Sequence, residues 1–181
     1  MKKVIFALFL ILFVICGVFS QTPELYLIGG SANFDNDIVI EAGFLQYIQV
    51  MDNLAGANNI QIKVQQSFRR AGGQITSNIV PPADRSCHLV GHAIDVNLVY
   101  NGVWYNSSNM TVANWDNLPQ AIKNFIIGCE NAGMRWGGRF SQIDPVHFDS
   151  GININNRTWY DRWYAGIQQL YVRDYAYEPH K

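Results

Sequence analysis

Two imidazoles and a carboxylate stand among small or apolar residues in the stretch Ser86-Cys87-His88-Leu89-Val90-Gly91-His92-Ala93-Ile94-Asp95. Histidine nitrogen and carboxylate oxygen both bind metals, and another candidate ligand follows in Asp144-Pro145-Val146-His147-Phe148-Asp149. His88, Asp95 and His147 would give a two-nitrogen, one-oxygen set. Such a set suits one zinc ion and leaves its fourth position open to water, as in catalytic rather than structural zinc sites. The alternative is a hydrogen-bonded polar network that steadies a strand. His92 lies four residues after His88, but Leu89 replaces the glutamate of His-Glu-x-x-His, which excludes that helical motif. His180 lies in the polar tail and is a weaker candidate ligand.

The spacing constrains the chain. On a continuous strand His88 and Asp95, seven apart, would point to opposite faces. The segment must therefore bend, and Gly91 is the residue that tolerates a turn and a close backbone approach. A strand then runs over His92–Tyr100 and turns at Asn101-Gly102 into a partner beginning at Val103. Alternating Ile60, Ile62 and Val64 predict another strand, after a helix over about residues 38–54. A Gly- and Pro-containing loop follows from Ala71 to Arg85. Pro119 to Asn131 reads as a helix stopped by Gly133, and Met134–Gly138 and Pro145–Asp149 read as short strands. A closing helix covers about residues 158–172, its aromatic residues expected in the core. Few helices and several short strands without regular alternation indicate α+β, in one compact domain with a small, mostly antiparallel sheet flanked by helices.

The chain of 181 residues begins with Lys2 and Lys3 and an uncharged apolar run from Val4 to Phe19. This reads as a signal peptide over residues 1–20, too short for the roughly 20 apolar residues of a membrane span. The domain is then residues 21–181, long enough for a proper core, exported to an extracellular or periplasmic space and expected to be monomeric. Without Lys2 and Lys3 the 13 basic residues fall to 11 against 14 acidic ones, a net charge near −3. That balance argues against nucleic acid as a partner, and after cleavage no stable membrane association is expected. Cys87 and Cys129 are either one disulfide or two buried thiols. Sequons at Asn106, Asn109 and Asn156 predict exposed loops if the chain is glycosylated.

Ser86-x-His88-x-x-Gly91-x-Ala93-x-Asp95 resembles the signature of the zinc D-alanyl-D-alanine carboxypeptidase family. That family includes VanY-type carboxypeptidases, D-Ala-D-Ala dipeptidases and phage L-alanyl-D-glutamate endopeptidases. The block Arg135 to Asp149, with Trp136-Gly137-Gly138 and Asp144-x-x-His147-Phe148, is similar to its second motif. Residues 65–74, ending at Gln74, are similar to a third, arginine-bearing one, with Gln66-Ser67 where Ser-Gly is commoner and Arg70 where Ser or Thr is commoner. The resemblance implies a Hedgehog/DD-peptidase-like fold, with His88, Asp95 and His147 as ligands of one zinc. It implies Asp144 as the catalytic carboxylate and Arg69 as the substrate-facing cation, with Arg70 the alternative.

Chemistry supports those roles, since a carboxylate can carry water's proton to a departing amine and a guanidinium can clamp a carboxylate or an oxyanion. Ser86 is expected to hydrogen-bond near the site, Trp136 to wall it, and Asp149 to orient a ligand histidine. His92 is open between a substrate contact and a supporting role. The resemblance thus implies a secreted zinc metallopeptidase acting on peptidoglycan stem peptides, with carboxypeptidase and endopeptidase activity both open. The alternative is a non-catalytic zinc-stabilised cell-wall-binding or signalling module of the same fold, which would have no use for Asp144.

Overall fold

The computed structural model describes residues 22–72 and 84–175. The leader expected over residues 1–20, Gln74, His180 and most of the 71–85 loop lie outside the described residues. The chain runs β1 (Leu25–Ile28), β2 (Ile38–Glu41), α1 (Leu45–Asn58), β3 (Ile60–Gln66), β4 (Ala93–Tyr100) and β5 (Val103–Tyr105). It continues through α2 (Gln120–Asn131), β6 (Arg135–Trp136), β7 (His147–Asp149), α3 (Ile152–Asn155), α4 (Arg157–Ile167) and β8 (Val172–Tyr175). A sheet in the order β3-β4-β7-β6, with β5 extending from β4, is antiparallel throughout. A second sheet, β2-β1-β8, has one parallel pair, β1 with β8.

Alternation along β4 divides the work of its side chains. Ile94, Val96 and Leu98 are buried, in one core with Ile60 and Ile62 of β3 and Phe148 of β7. Ile48, Met51 and Ala55 of α1 and Ile122, Phe125 and Ile126 of α2 join that core. Burying one such side chain is worth about 1.5–3 kcal/mol, so this layer anchors the strand. Asp95, one residue out of phase, is left on the opposite face. The result is a single α+β domain, as expected. Asn101 and Gly102 both adopt positive φ (50° and 77°), the geometry of a two-residue hairpin turn.

Three expectations need correction. The helix over 38–54 starts only at Leu45, because Ile38 and Ile40 alternate in β2 and Glu41 ends that strand by accepting the Gly43 N–H at 2.7 Å. The closing helix stops at Ile167 instead of 172, and Val172–Tyr175 pairs with β1 from Leu25↔Val172 to Ile28↔Tyr175. The described residues form two sheets rather than one. Cys87 and Cys129 are free and buried, so the thiol alternative is the one observed; burial pushes the Cys87 thiol up to about 12. Asn156 is exposed at the start of α4, whereas Asn106 and Asn109 are half-buried with hydrogen-bonded side chains.

The bend at Gly91 is present, with φ of 72°. A Cβ there would stand 2.5 Å from the Glu41 backbone nitrogen, whose N–H donates to the Gly91 carbonyl at 3.0 Å. Gly91→Ala should therefore cost at least ~2 kcal/mol, since a left-handed residue with a Cβ alone costs about 1–2 and a backbone clash adds to it. Urea unfolding measures this; a loss below about 0.5 kcal/mol, the range of neutral surface changes, would contradict the packing described.

Candidate metal centre

Asp95 and His147 lie directly opposite each other across the antiparallel β4–β7 pair, so the sheet itself sets their side chains on one face. His88 comes from the single 3₁₀ turn Cys87–Val90 that Gly91 terminates. Their ligand atoms meet: His88 Nε2 is 3.1 Å and His147 Nδ1 2.9 Å from Asp95 Oδ1, and the two nitrogens are 3.1 Å apart. Among the described residues these three form a group that could hold a metal ion, with ligand atoms all within 4.8 Å of one another. Ligands at 2.0–2.1 Å around a tetrahedral ion stand about 3.3 Å apart, close to these separations.

The outer partners decide which electrons point inward. His88 Nδ1 donates to the Ser67 carbonyl at 2.7 Å, leaving the Nε2 lone pair facing Asp95. His147 Nε2 donates to Asp149 Oδ2 at 2.9 Å, leaving the Nδ1 lone pair facing the same point. Two lone pairs and an anionic oxygen thus converge, an arrangement that only a proton or a cation makes favourable. In the metal-free protein the proton serves. Burial acts to lower the His147 pKa, but the hydrogen bonds to Asp149 and Asp95 outweigh it and raise the group to about 9. Burial likewise acts to raise Asp95, yet the two histidines hold its carboxyl well below the ordinary range. The residues present therefore fit a divalent ion.

Asp149 is orienting His147 as expected, and it is fixed by a residue that sequence reasoning passed over. Arg135, opposite Asp149 in the β6–β7 register, makes a two-pronged ion pair at 2.7 and 2.6 Å, and Gly151 N–H adds a bond at 2.7 Å. Burial would raise Asp149, but the bonds from His147 and Arg135 keep its carboxyl below the usual range. The available signal was the pair of short strands: once antiparallel, they put Arg135 beside Asp149.

Asp144 is half-buried, and its pKa is raised by burial first and by the Asp95 charge second, while His147 and His88 pull it back. It therefore lies within electrostatic reach of Asp95, His147 and His88. Trp136 is a correction: it is 1% exposed, in the core, and does not wall the site. Its indole N–H donates to the Pro145 carbonyl at 2.7 Å. Gly137 explains the next motif position, since its carbonyl accepts the Asp144 N–H at 2.9 Å and a Cβ there would be 2.2 Å from the Asp144 carbonyl. Tryptophan and glycine together pin the turn that carries Asp144.

Arg69 is half-buried, donates to Gln66 Oε1 at 3.0 Å, and feels the Asp95 charge; burial lowers its pKa. Arg70 turns away, onto carbonyls at the end of α4. His92 is buried outside the ligand group, its Nε2 2.9 Å from Glu41 Oε2 and its Nδ1 3.0 Å from Ser150 Oγ. Glu41 and Ser150 had not been singled out. The Ser150 N–H donates to the His92 carbonyl at 3.2 Å, so side chain and backbone both tie the end of β7 to the residue before β4, and the cluster acts as a brace. The Ser86 carbonyl accepts the buried Tyr160 hydroxyl at 3.0 Å, which ties the start of the His88 turn to α4.

Residues 81–150 match the family of D-alanyl-D-alanine carboxypeptidases. The match takes in both the His88–Asp95 motif and the Trp136–His147 block, so the resemblance read from those residues is borne out there. The arginine block at 65–74 lies outside it. No curated protein matches the chain significantly. The family is zinc-dependent, and the His-Asp-His group is where an ion would sit. No helix among the described residues is long and apolar enough to cross a membrane.

A proton on His147 must leave when a metal binds. Below about pH 9 zinc binding should therefore release a proton, and affinity should fall by about tenfold per unit of acidification from this group alone. Adding zinc to weakly buffered protein at pH 7 with a pH indicator measures the release; binding with no proton set free would contradict the assigned hydrogen bonding.

Proposed function

We propose that the protein is a secreted zinc metallopeptidase that hydrolyses a peptide bond in the stem peptides of bacterial peptidoglycan. The observation that carries the reading is the convergence of the His88 and His147 lone pairs on Asp95, with the titratable Asp144 and the cation Arg69 in electrostatic reach. His88, Asp95 and His147 would hold the zinc, which supplies a Lewis acid that makes water nucleophilic near neutral pH.

The chain's own groups do the rest. Asp144 accepts the proton of the attacking water as the C–O bond forms, and returns it to the nitrogen as the C–N bond breaks. Its raised pKa moves it from the ordinary carboxylate range toward the working pH, which suits a group that must both take and give a proton. Arg69 receives the negative charge of the substrate, a carboxylate or the developing oxyanion, and its partial burial strengthens that contact. The family resemblance supports peptidoglycan as substrate, and the basic-apolar leader at residues 1–20 fits a substrate outside the cytoplasm. Both carboxypeptidase and endopeptidase cleavage are consistent with this chemistry.

Asp144→Asn keeps the shape and one hydrogen-bonding oxygen but cannot accept a proton at neutral pH. The variant should retain zinc and bind peptide while kcat falls by roughly 10²–10⁴-fold. Turnover of a stem peptide, with zinc measured by elemental analysis, checks this. Unchanged turnover would make Asp144 a turn residue, and loss of zinc would make it a ligand.

A further inference from the structure

Beyond Gln66 the chain leaves β3 and runs without helix or strand through Ser67, Phe68, Arg69, Arg70 and Ala71. Two of its backbone N–H groups are tied to the fold directly: Phe68 N–H donates to the Val39 carbonyl at 2.9 Å, and Arg69 N–H to the His88 carbonyl at 3.0 Å. Ser67 is held as well, its carbonyl by the His88 ring N–H at 2.7 Å and its Oγ by the Val39 N–H at 3.0 Å; from the Arg69 carbonyl onward the backbone ties converge on one side chain. Gln168, just past the end of α4, accepts the Ala71 N–H on Oε1 at 2.7 Å. Its Nε2 donates to the Arg69 carbonyl at 3.1 Å and to the Leu89 carbonyl at 2.5 Å. One amide group thus spans the arginine segment, the turn that carries His88, and the end of α4.

Arg70 closes the same junction. It donates to the Ile167 carbonyl at 3.3 Å, the Leu170 carbonyl at 2.6 Å and the Gln168 carbonyl, and its guanidinium lies 5.1 Å over the Phe68 ring. Carbonyls at a helix C-terminus lack intrahelical partners, so this use of Arg70 is favourable and occupies it. With its neighbour anchored on α4, Arg69 is left to extend toward Gln66 and Asp95.

We propose that Gln168 is a positioning residue for substrate binding: it locks the Phe68–Ala71 segment so that the Arg69 guanidinium is held ready for a peptide carboxylate. The proposal rests on the reading of the protein as a stem-peptide peptidase with Arg69 at the substrate. Gln168 does not itself touch substrate. Its effect is to fix, before binding, a cation on an otherwise irregular segment, which lowers the ordering cost of capturing the ligand.

The test uses the zinc-loaded protein and Gln168→Met, which keeps the side chain's length but removes its two donors and its amide acceptor. Gln168→Glu, which keeps the Ala71 bond and loses both donors, is the second variant and carries the same expectation. Amide hydrogen exchange at Phe68 and Arg69 should accelerate by about tenfold or more, although their acceptors at Val39 and His88 are untouched. For a stem peptide with a free carboxyl terminus, KM should rise about tenfold, with zinc content unchanged and kcat within about threefold. In an Arg69→Ala background the same substitution should add no further rise in KM. Unchanged exchange at Phe68 and Arg69 would overturn the proposal, as would a KM effect that persists in full without Arg69. If the wild-type protein takes zinc but cleaves no peptide, the peptidase reading fails separately, and the exchange measurement still decides whether Gln168 holds the segment.

Discussion

Three electron-rich atoms, His88 Nε2, His147 Nδ1 and Asp95 Oδ1, are held 2.9–3.1 Å apart with their hydrogens directed elsewhere. This crowding is unfavourable unless a positive charge sits among them, and much of the surrounding structure serves to enforce it. The Ser67 carbonyl and the Asp149 carboxylate hold the two imidazoles in the tautomers that face inward. Arg135 in turn holds Asp149 ionised and in place. Removing any of these outer groups would let a ring turn or change its proton, which is why such partners commonly govern metal affinity.

Backbone geometry carries the same constraint further out. The β4–β7 register makes Asp95 and His147 neighbours without any adjustable torsion beyond their own side chains. The left-handed Gly91 folds the His88 turn back, and the close approach of its backbone to Glu41 joins the two sheets at that corner. The Glu41–His92–Ser150 chain, its first two members buried, reinforces the same corner, linking β2, the residue before β4 and the residue after β7. On the far side, Trp136 and Gly137 fix the Asp144–Pro145 turn by two hydrogen bonds. Asp144, the proposed catalytic carboxylate, and His147, three residues later, thus belong to one hydrogen-bonded turn.

The convergence of His88, Asp95 and His147 was legible because its signals are local: residue type, spacing and a glycine at the bend. The β3, β4 and β5 strands were legible from alternation and from Asn101-Gly102. Ile38, Ile40, Phe44 and Ile48 misled because two alternating strand residues followed by a helical pair mimic one helical stripe; only the Glu41–Gly43 bond marks the change. Strands β1 and β8 pair near the two ends of the described chain, and no local pattern reports a partner so far away. The same distance hid Arg70 and Gln168, whose partners lie 79 to 100 residues off. Trp136 was misplaced because a large aromatic beside a site serves equally as wall or as core, and its N–H partner at Pro145 is visible only in three dimensions.

The central claim is that the His-Asp-His group holds a zinc ion that makes the protein a stem-peptide hydrolase. Its most direct test is to incubate the purified, zinc-loaded protein with peptidoglycan and to locate any cleaved bond by mass spectrometry, before and after chelation. The account predicts release of fragments with a new terminus inside the stem peptide, abolished by the chelator and restored by added zinc. Stem peptides left intact by a protein that retains its zinc would contradict it.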